Sequence, residues 1–254
     1  MSIEVRGGGG LHLEFDPARG GKITSLRGAG IEWLAQSDGR PLPPPGTPFV
    51  DAEMSGWDEC APSIVACEID RYSIPDHGDL WDSAFEMHGT VARASGGSYP
   101  YMLERQISAT STGVRLSYTA HATDVSVPFL WAAHPQFSAP PGTRVVIDGV
   151  TSVVDVLAIP ADRMVWDDAA SSIDSVAFGA CRKFYVDPEH VSTRAQLIRR
   201  DAVLKLNWAS GCPFLGVWFD HSAFAREPVI ALEPTNGYFD SLKDASDNGL
   251  VAEL

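Results

Sequence analysis

Basic residues are scarce in this chain. Its 254 residues hold 19 lysines and arginines against 33 aspartates and glutamates, a formal net charge of −14. No stretch gathers enough positive charge to offset that balance, so phosphate backbones and anionic membrane surfaces are repelled and nucleic acid is not an expected partner. Long apolar runs are also missing. Nothing approaches the ~20 residues that a spanning helix needs. The opening MSIEVRGGGG has no basic patch followed by an apolar run, so neither a secretory signal nor a membrane partner is expected, and the cytoplasm is the default compartment. The four cysteines, Cys60, Cys67, Cys181 and Cys212, form no CxxC pair, which fits reduced buried thiols better than a zinc or redox motif. Heptads, fixed-period repeats and sustained helical periodicity are absent too.

What the chain does have is glycine (23) and proline (18) in quantity, between short apolar runs. This composition and length predict an all-β protein, a sandwich forming one domain over residues 1–254. Apolar and polar residues alternate in Leu11 to Phe15 and again through Tyr101 to Thr119, where Ser111-Thr112-Gly113 supplies the turn of a hairpin. Further strands are expected at Ile23 to Leu26, Phe129 to Ala133, Arg144 to Ile147, Leu204 to Trp208, Phe214 to Phe219 and Val229 to Glu233, each bounded by Gly, Pro, Asp or Asn. Pro188 to Arg200 suits a helix, with short strands or a loop fitting nearly as well. Pro41 to Pro48 has too few backbone donors for a central strand and reads as a polyproline-like surface loop. Gly7 to Gly10 lacks the Lys-Ser/Thr of a phosphate-binding loop and reads as a flexible turn.

Three segments carry groups suited to chemistry. Leu130 to Pro135 ends an apolar run on His134, whose proline neighbour breaks the ladder and directs the imidazole toward a cleft; a core histidine bonded to a carbonyl is the competing reading. Val229 to Pro234 places Glu233 after four apolar residues, where desolvation raises its pKa toward that of a base working near neutrality; a turn-capping carboxylate is the alternative. Asp76-His77-Gly78-Asp79-Leu80-Trp81 sets polar groups beside a glycine and an aromatic able to stack on a sugar face, and Gly56-Trp57-Asp58-Glu59 offers a second tryptophan with two carboxylates. Asp58, Trp57 and Trp81 are accordingly expected to bind substrate. Trp218, within an apolar run, fits core packing better than a stacking role. His77, His134 and Glu233 have the atom types of a metal set, but no HxH or HExxH puts two imidazoles on one element, so no metal is expected.

In their order along the chain, the His77-Gly78 loop, the His134-Pro135 strand end and the Glu233-Pro234 strand end, with Gly20-Gly21-Lys22-Ile23 before them and Asn236 to Asp240 after, resemble the aldose 1-epimerase, or galactose mutarotase-like, family. The resemblance implies a large antiparallel β-sandwich, the galactose mutarotase-like supersandwich. It further implies an isomerase acting on a small-molecule sugar without metal or organic cofactor. His134 is then the general acid, Glu233 the general base, and His77 binds the sugar near its ring oxygen. Better-known members carry an arginine-containing segment where this chain has Gly56-Trp57-Asp58-Glu59, and they continue into another strand beyond the Glu-Pro turn, so a closing strand is expected to be absent here. Three rival readings remain: a non-catalytic carbohydrate-binding sandwich, a hexose-6-phosphate mutarotase, which requires converging arginines or lysines, and a metal-dependent cupin-like enzyme.

Overall fold

The computed structural model describes residues 2–41, 44, 46–200 and 202–254. Its largest element is a twelve-stranded sheet. Along the main path the strands run Ile3–Arg6, His12–Asp16, Lys22–Gly28, Trp57–Cys60, Ala132–Pro135, Val229–Thr235, Phe214–Asp220, Cys181–Val186, Ser152–Asp155 and Asp162–Val165. Every pairing in it is antiparallel. A four-stranded sheet contains Val114–Ala122, Tyr101–Ala109, Val91–Ser95 and Glu86–His88, and a three-stranded sheet contains Arg144–Ile147, Arg194–Arg199 and Ala202–Asn207.

The hairpin read from alternation is present. Tyr101–Ala109 pairs with Val114–Ala122, closing at Ala109 opposite Val114. On the first of these strands Tyr101, Leu103, Arg105 and Ile107 are buried, as the period of two requires for a strand with one face on the core. The buried guanidinium among them is neutralised by the large sheet: Arg105 Nη1 donates to Glu59 Oε1 at 2.7 Å, and Tyr118 OH and Trp131 Nε1 donate to the same carboxylate at 2.8 and 2.9 Å. These bonds tie the two sheets together.

Three expectations are corrected. Of the readings open at Pro188 to Arg200, the helix fails and the short strand holds: Arg194–Arg199 is a strand with Ala195 and Leu197 in the core. The strand expected at Phe129 to Ala133 lies instead at Ala132–Pro135. Asn236 accounts for the offset, because its side-chain amide takes over the ladder's bonds, accepting from Trp131 N at 2.6 Å and donating to Phe129 O at 2.8 Å. The strand expected to stop at Glu233 continues through Pro234 to Thr235.

Among the described residues there is one α-helix, Leu242–Asp247, capped by Ser241, which accepts from Asp244 N. It is followed by two isolated bridges, Gly237 to Val251 and Pro128 to Glu253. Of the proline-rich segment, Leu42, Pro43 and Pro45 lie outside the described residues, and the others form no strand. Among the described residues no helix is long and apolar enough to cross a membrane.

Candidate active site

Neighbouring strands of the large sheet place the site by register. Ala132 pairs with Cys60 on one side and Thr235 on the other, and His134 pairs with Asp58. Phe137 pairs with Ile230 in the same register as Ala132 with Thr235, so positions 134 and 233 stand across from one another. Between those two pairings the ladder is interrupted, because Pro135 and Pro234 have no N–H to contribute. Past Glu233 the row continues to Gly216 and then Tyr185. Side chains in one row share a face. Asp58, His134, Glu233 and Tyr185 therefore project together, with Cys60 and Lys183 two positions along on their strands.

His134 Nε2 lies 3.8 Å from Glu233 Oε1. The other carboxylate oxygen, Oε2, accepts a hydrogen bond from Lys183 Nζ, which is also 3.4 Å from Asp240 Oδ1. Tyr185 OH donates to that same Asp240 oxygen at 2.6 Å. Gly216 leaves the Glu233 side chain room to lie over its strand: a Cβ there would stand 3.1 Å from both Glu233 Oε2 and Tyr185 Cζ. Glu233 Oε1 has no hydrogen-bond partner in the protein although the residue is fully buried. On the far side of the imidazole, Gln136 Nε2 is 2.9 Å from His134 Nδ1. With the amide donating, Nδ1 accepts and the ring proton sits on Nε2, facing Glu233.

His77 reaches the same place from a turn. Its backbone is left-handed (φ 59°), and Gly78 follows at φ 72°, where a Cβ would be 1.9 Å from the carbonyl oxygen of Ala61. Only glycine permits that approach. His77 Nδ1 lies 2.8 Å from Asp76 Oδ2. The two imidazole rings are 5.1 Å apart at an interplanar angle of 74°. One ring nitrogen from each histidine and the Cys60 sulfur all lie within 4.8 Å of one another.

The open cleft expected at His134 is closed in this structure. Phe49, from the 3₁₀ turn Phe49–Asp51, stacks on His77 with centroids 3.8 Å apart and meets Trp81 and His134 edge-on at 5.2 and 5.5 Å. Phe49 is 2% exposed, His134 4% and Glu233 0%. The aromatic ring lies directly against the groups that would face a substrate.

Burial dominates the electrostatics. It pushes the Glu233 carboxyl above the usual carboxylate range, against the pull of the Lys183 charge. Burial works against the Lys183 ammonium too, but Asp240 and Glu233 outweigh it and raise that pKa above the ordinary lysine value. His134 is held well below the usual histidine range, by burial first and then by His77 and Lys183. Asp58 is raised by burial, opposed by Lys22, whose Nζ is 2.8 Å from its Oδ2 and donates to Ser55 O at 2.6 Å.

Of the residues picked from the sequence, His77, His134, Glu233 and Asp58 come together, and Trp81 borders them through Phe49. Trp57 does not join them: adjacent to Asp58 on one strand, it points to the opposite face, its ring 6.2 Å from that of Phe137. Trp218 is half-buried beside Phe224, in a row with Lys183, rather than sealed in the core. Sequence reasoning passed over Lys183, Gln136, Cys60 and Phe49. Lys183 left one signal, a charge inside the strand CRKFYV whose next three residues are all apolar or aromatic and buried.

No family model matches the chain, and no curated protein matches it in sequence. Solved structures do match in fold. The Slr1438 protein of Synechocystis sp. PCC 6803 superposes with a TM-score of 0.77 at 16% identity, covering 100% of this chain and 90% of its own. A galactose mutarotase-like protein of Lactobacillus casei ATCC 334 gives 0.68 at 17% identity, covering 93% and 88%. A galactose mutarotase-like protein of Clostridium acetobutylicum gives 0.67 at 13%, covering 100% and 90%. With its strand order, its sheet-on-sheet core and these superpositions, the chain has the galactose mutarotase-like fold.

Proposed function

We propose that the protein is an aldose 1-epimerase, interconverting the α and β anomers of a free sugar by acid/base ring opening. One observation carries this reading: His134 Nε2 and Glu233 Oε1 face one another at 3.8 Å, neither taken up by another protein hydrogen bond. In an aldose the anomeric oxygen and the ring oxygen sit on the same carbon, so two proton-handling atoms close together suit them. Glu233 takes the proton of the anomeric hydroxyl as His134, protonated on both ring nitrogens with the Gln136 amide turned so that Oε1 accepts from Nδ1–H, gives its Nε2 proton to the ring oxygen and is left as the neutral imidazole. The ring C–O bond breaks, leaving an open-chain aldehyde. Rotation about the adjacent C–C bond presents the other carbonyl face, and reversal of both proton transfers closes the opposite anomer. In this reading His77 binds near the ring oxygen and Asp58 accepts from a sugar hydroxyl. The sugar takes the place of the Phe49 ring, which has to swing away with its turn.

A phosphorylated sugar fits less well. The cavity of about 130 Å³ beside the Phe49 turn is lined by Arg40 and Arg226 but also by Asp51, Glu53 and Glu227, and both arginines are already paired with Asp38. The test is polarimetry on freshly dissolved α-anomers of a panel of aldoses. Wild type is expected to speed the decay of optical rotation, and Glu233→Gln and His134→Asn each to slow it by about 10²–10⁴-fold. Saturable sugar binding without faster decay would replace this reading with a carbohydrate-binding module.

A further inference from the structure

Ring opening uses no thiol, yet Cys60 puts its sulfur beside the two imidazoles. We infer that Cys60, His77 and His134 form a site for a thiophilic divalent cation such as Zn²⁺, with Glu233 Oε1 as the fourth ligand. Three observations support it.

The first is the donor set. A thiolate, two imidazoles and a carboxylate are the ligand types that four-coordinate zinc takes, at about 2.3 Å to sulfur and about 2.0–2.1 Å to nitrogen. Such an ion spans ligand atoms roughly 3.3–3.8 Å apart. The sulfur and one nitrogen of each imidazole already lie within 4.8 Å of one another, and Glu233 Oε1 is 3.8 Å from His134 Nε2; Glu233 stands outside the three-residue cluster, and its side chain has to turn inward to close the tetrahedron.

The second is the support behind the ligands. Metal-bound histidines commonly hand their other ring nitrogen to a carboxylate or amide. Here Asp76 holds Nδ1 of His77 at 2.8 Å, and Gln136 holds Nδ1 of His134 at 2.9 Å. Gln136 Oε1 has no partner where it now lies. Turning that amide over lets Oε1 accept from Nδ1–H, which leaves the Nε2 lone pair free for an ion.

The third is an unpartnered oxygen. Glu233 Oε1 is a fully buried carboxylate oxygen with no hydrogen bond. Around the imidazoles, Asp58, Asp76, Glu233 and Asp240 stand against two ammonium groups, Lys22 and Lys183, a balance that favours a cation. Binding sends the Cys60 thiol proton to solvent, and the sulfur becomes the ligand as thiolate.

The ion and the sugar then compete, since an Nε2 bound to metal has no proton to give a ring oxygen. That consequence rests on the epimerase reading; the site itself does not. Chelator-treated protein is titrated with Co²⁺ and followed by absorption. The expected result is a 1:1 endpoint with a thiolate-to-cobalt charge-transfer band and the intense visible bands of a four-coordinate ion, all erased by one equivalent of Zn²⁺. Cys60→Ser is expected to lose the charge-transfer band, and His77→Asn the four-coordinate bands. Asp76→Asn, a change at a partly exposed side chain that tests the site even if the other variants do not fold, is expected to weaken Co²⁺ binding about 10–100-fold. In polarimetry, Zn²⁺ is expected to inhibit wild type stoichiometrically, with restoration by chelator. Wild-type protein that gives only the weak spectrum of aquo cobalt, and whose mutarotation ignores Zn²⁺, overturns the metal site and leaves the epimerase standing. A thiolate–cobalt band in protein inert toward every aldose upholds the metal site and ends the epimerase reading instead.

Discussion

Glu233 and Lys183 define what single residues contribute here. The ammonium is the principal influence opposing the burial that lifts the carboxyl. Without it Glu233 keeps its proton to higher pH. Lys183→Met is therefore expected to move the acid limb of the pH–kcat/KM profile of metal-free protein upward, because the base form is lost sooner as pH falls. An unmoved acid limb would remove Lys183 from any role in tuning the base. His77, His134 and Glu233 were legible in the chain because each adjoins a glycine or proline that shapes its own backbone. Lys183 meets Glu233 only across intervening strand Phe214–Asp220, fifty positions away in sequence, and such a meeting leaves no local mark.

Strands decide where those side chains stand. Gly216, between the glutamate and Tyr185, is an empty place in an otherwise filled row. Gly216→Ala puts a methyl 3.1 Å from Glu233 Oε2 and from the tyrosine ring. We expect a loss of kcat on the order of 10- to 100-fold by displacement of the base, with a stability cost of about 1–3 kcal/mol for overpacking; unaltered kcat would place the productive carboxylate elsewhere. Alternation located Leu11 to Phe15 and the long hairpin, since the period of two survives in single sequence, but only nine of the twenty-one strands among the described residues were legible in the sequence, the rest including strands of two to four residues too short to show a period. It failed where side chains stand in for backbone, as Asn236 does beside Phe129 to Trp131. It failed again at Pro188 to Arg200, where an ambiguous pattern was resolved by pairing with Ala202–Asn207. The six-residue helix Leu242–Asp247 is under two turns long, too short to display a helical period.

For the molecule as a whole, the joint between the four-stranded and twelve-stranded sheets is polar at its heart. Arg105 and Glu59 have fully buried side chains. Arg105→Met leaves Glu59 charged or protonated in the core with only its neutral donors, and is expected to lower unfolding free energy by about 3–5 kcal/mol in urea titration. The double change Arg105→Met with Glu59→Leu should recover most of that loss. A single variant as stable as wild type would show that the joint rests on its apolar contacts alone. Composition announced a sheet protein and the three short motifs announced its family resemblance, but this joint was out of reach: nothing in a strand reveals which charge on a distant strand will neutralise it.

The twelve-stranded sheet also has two outer strands, Ile3–Arg6 and Asp162–Val165. Unpaired backbone along such a border is a template on which another chain can add itself. Glu4 and Arg6 at one border, and Asp162 and Arg163 at the other, are exposed charges. They make docking of a foreign strand costly, since an incoming chain would have to strip water from them. Replacing Glu4 and Arg6 together by valine is expected to leave the melting temperature nearly unchanged and to raise light scattering on storage, so that colloidal behaviour depends on side chains far from any chemistry.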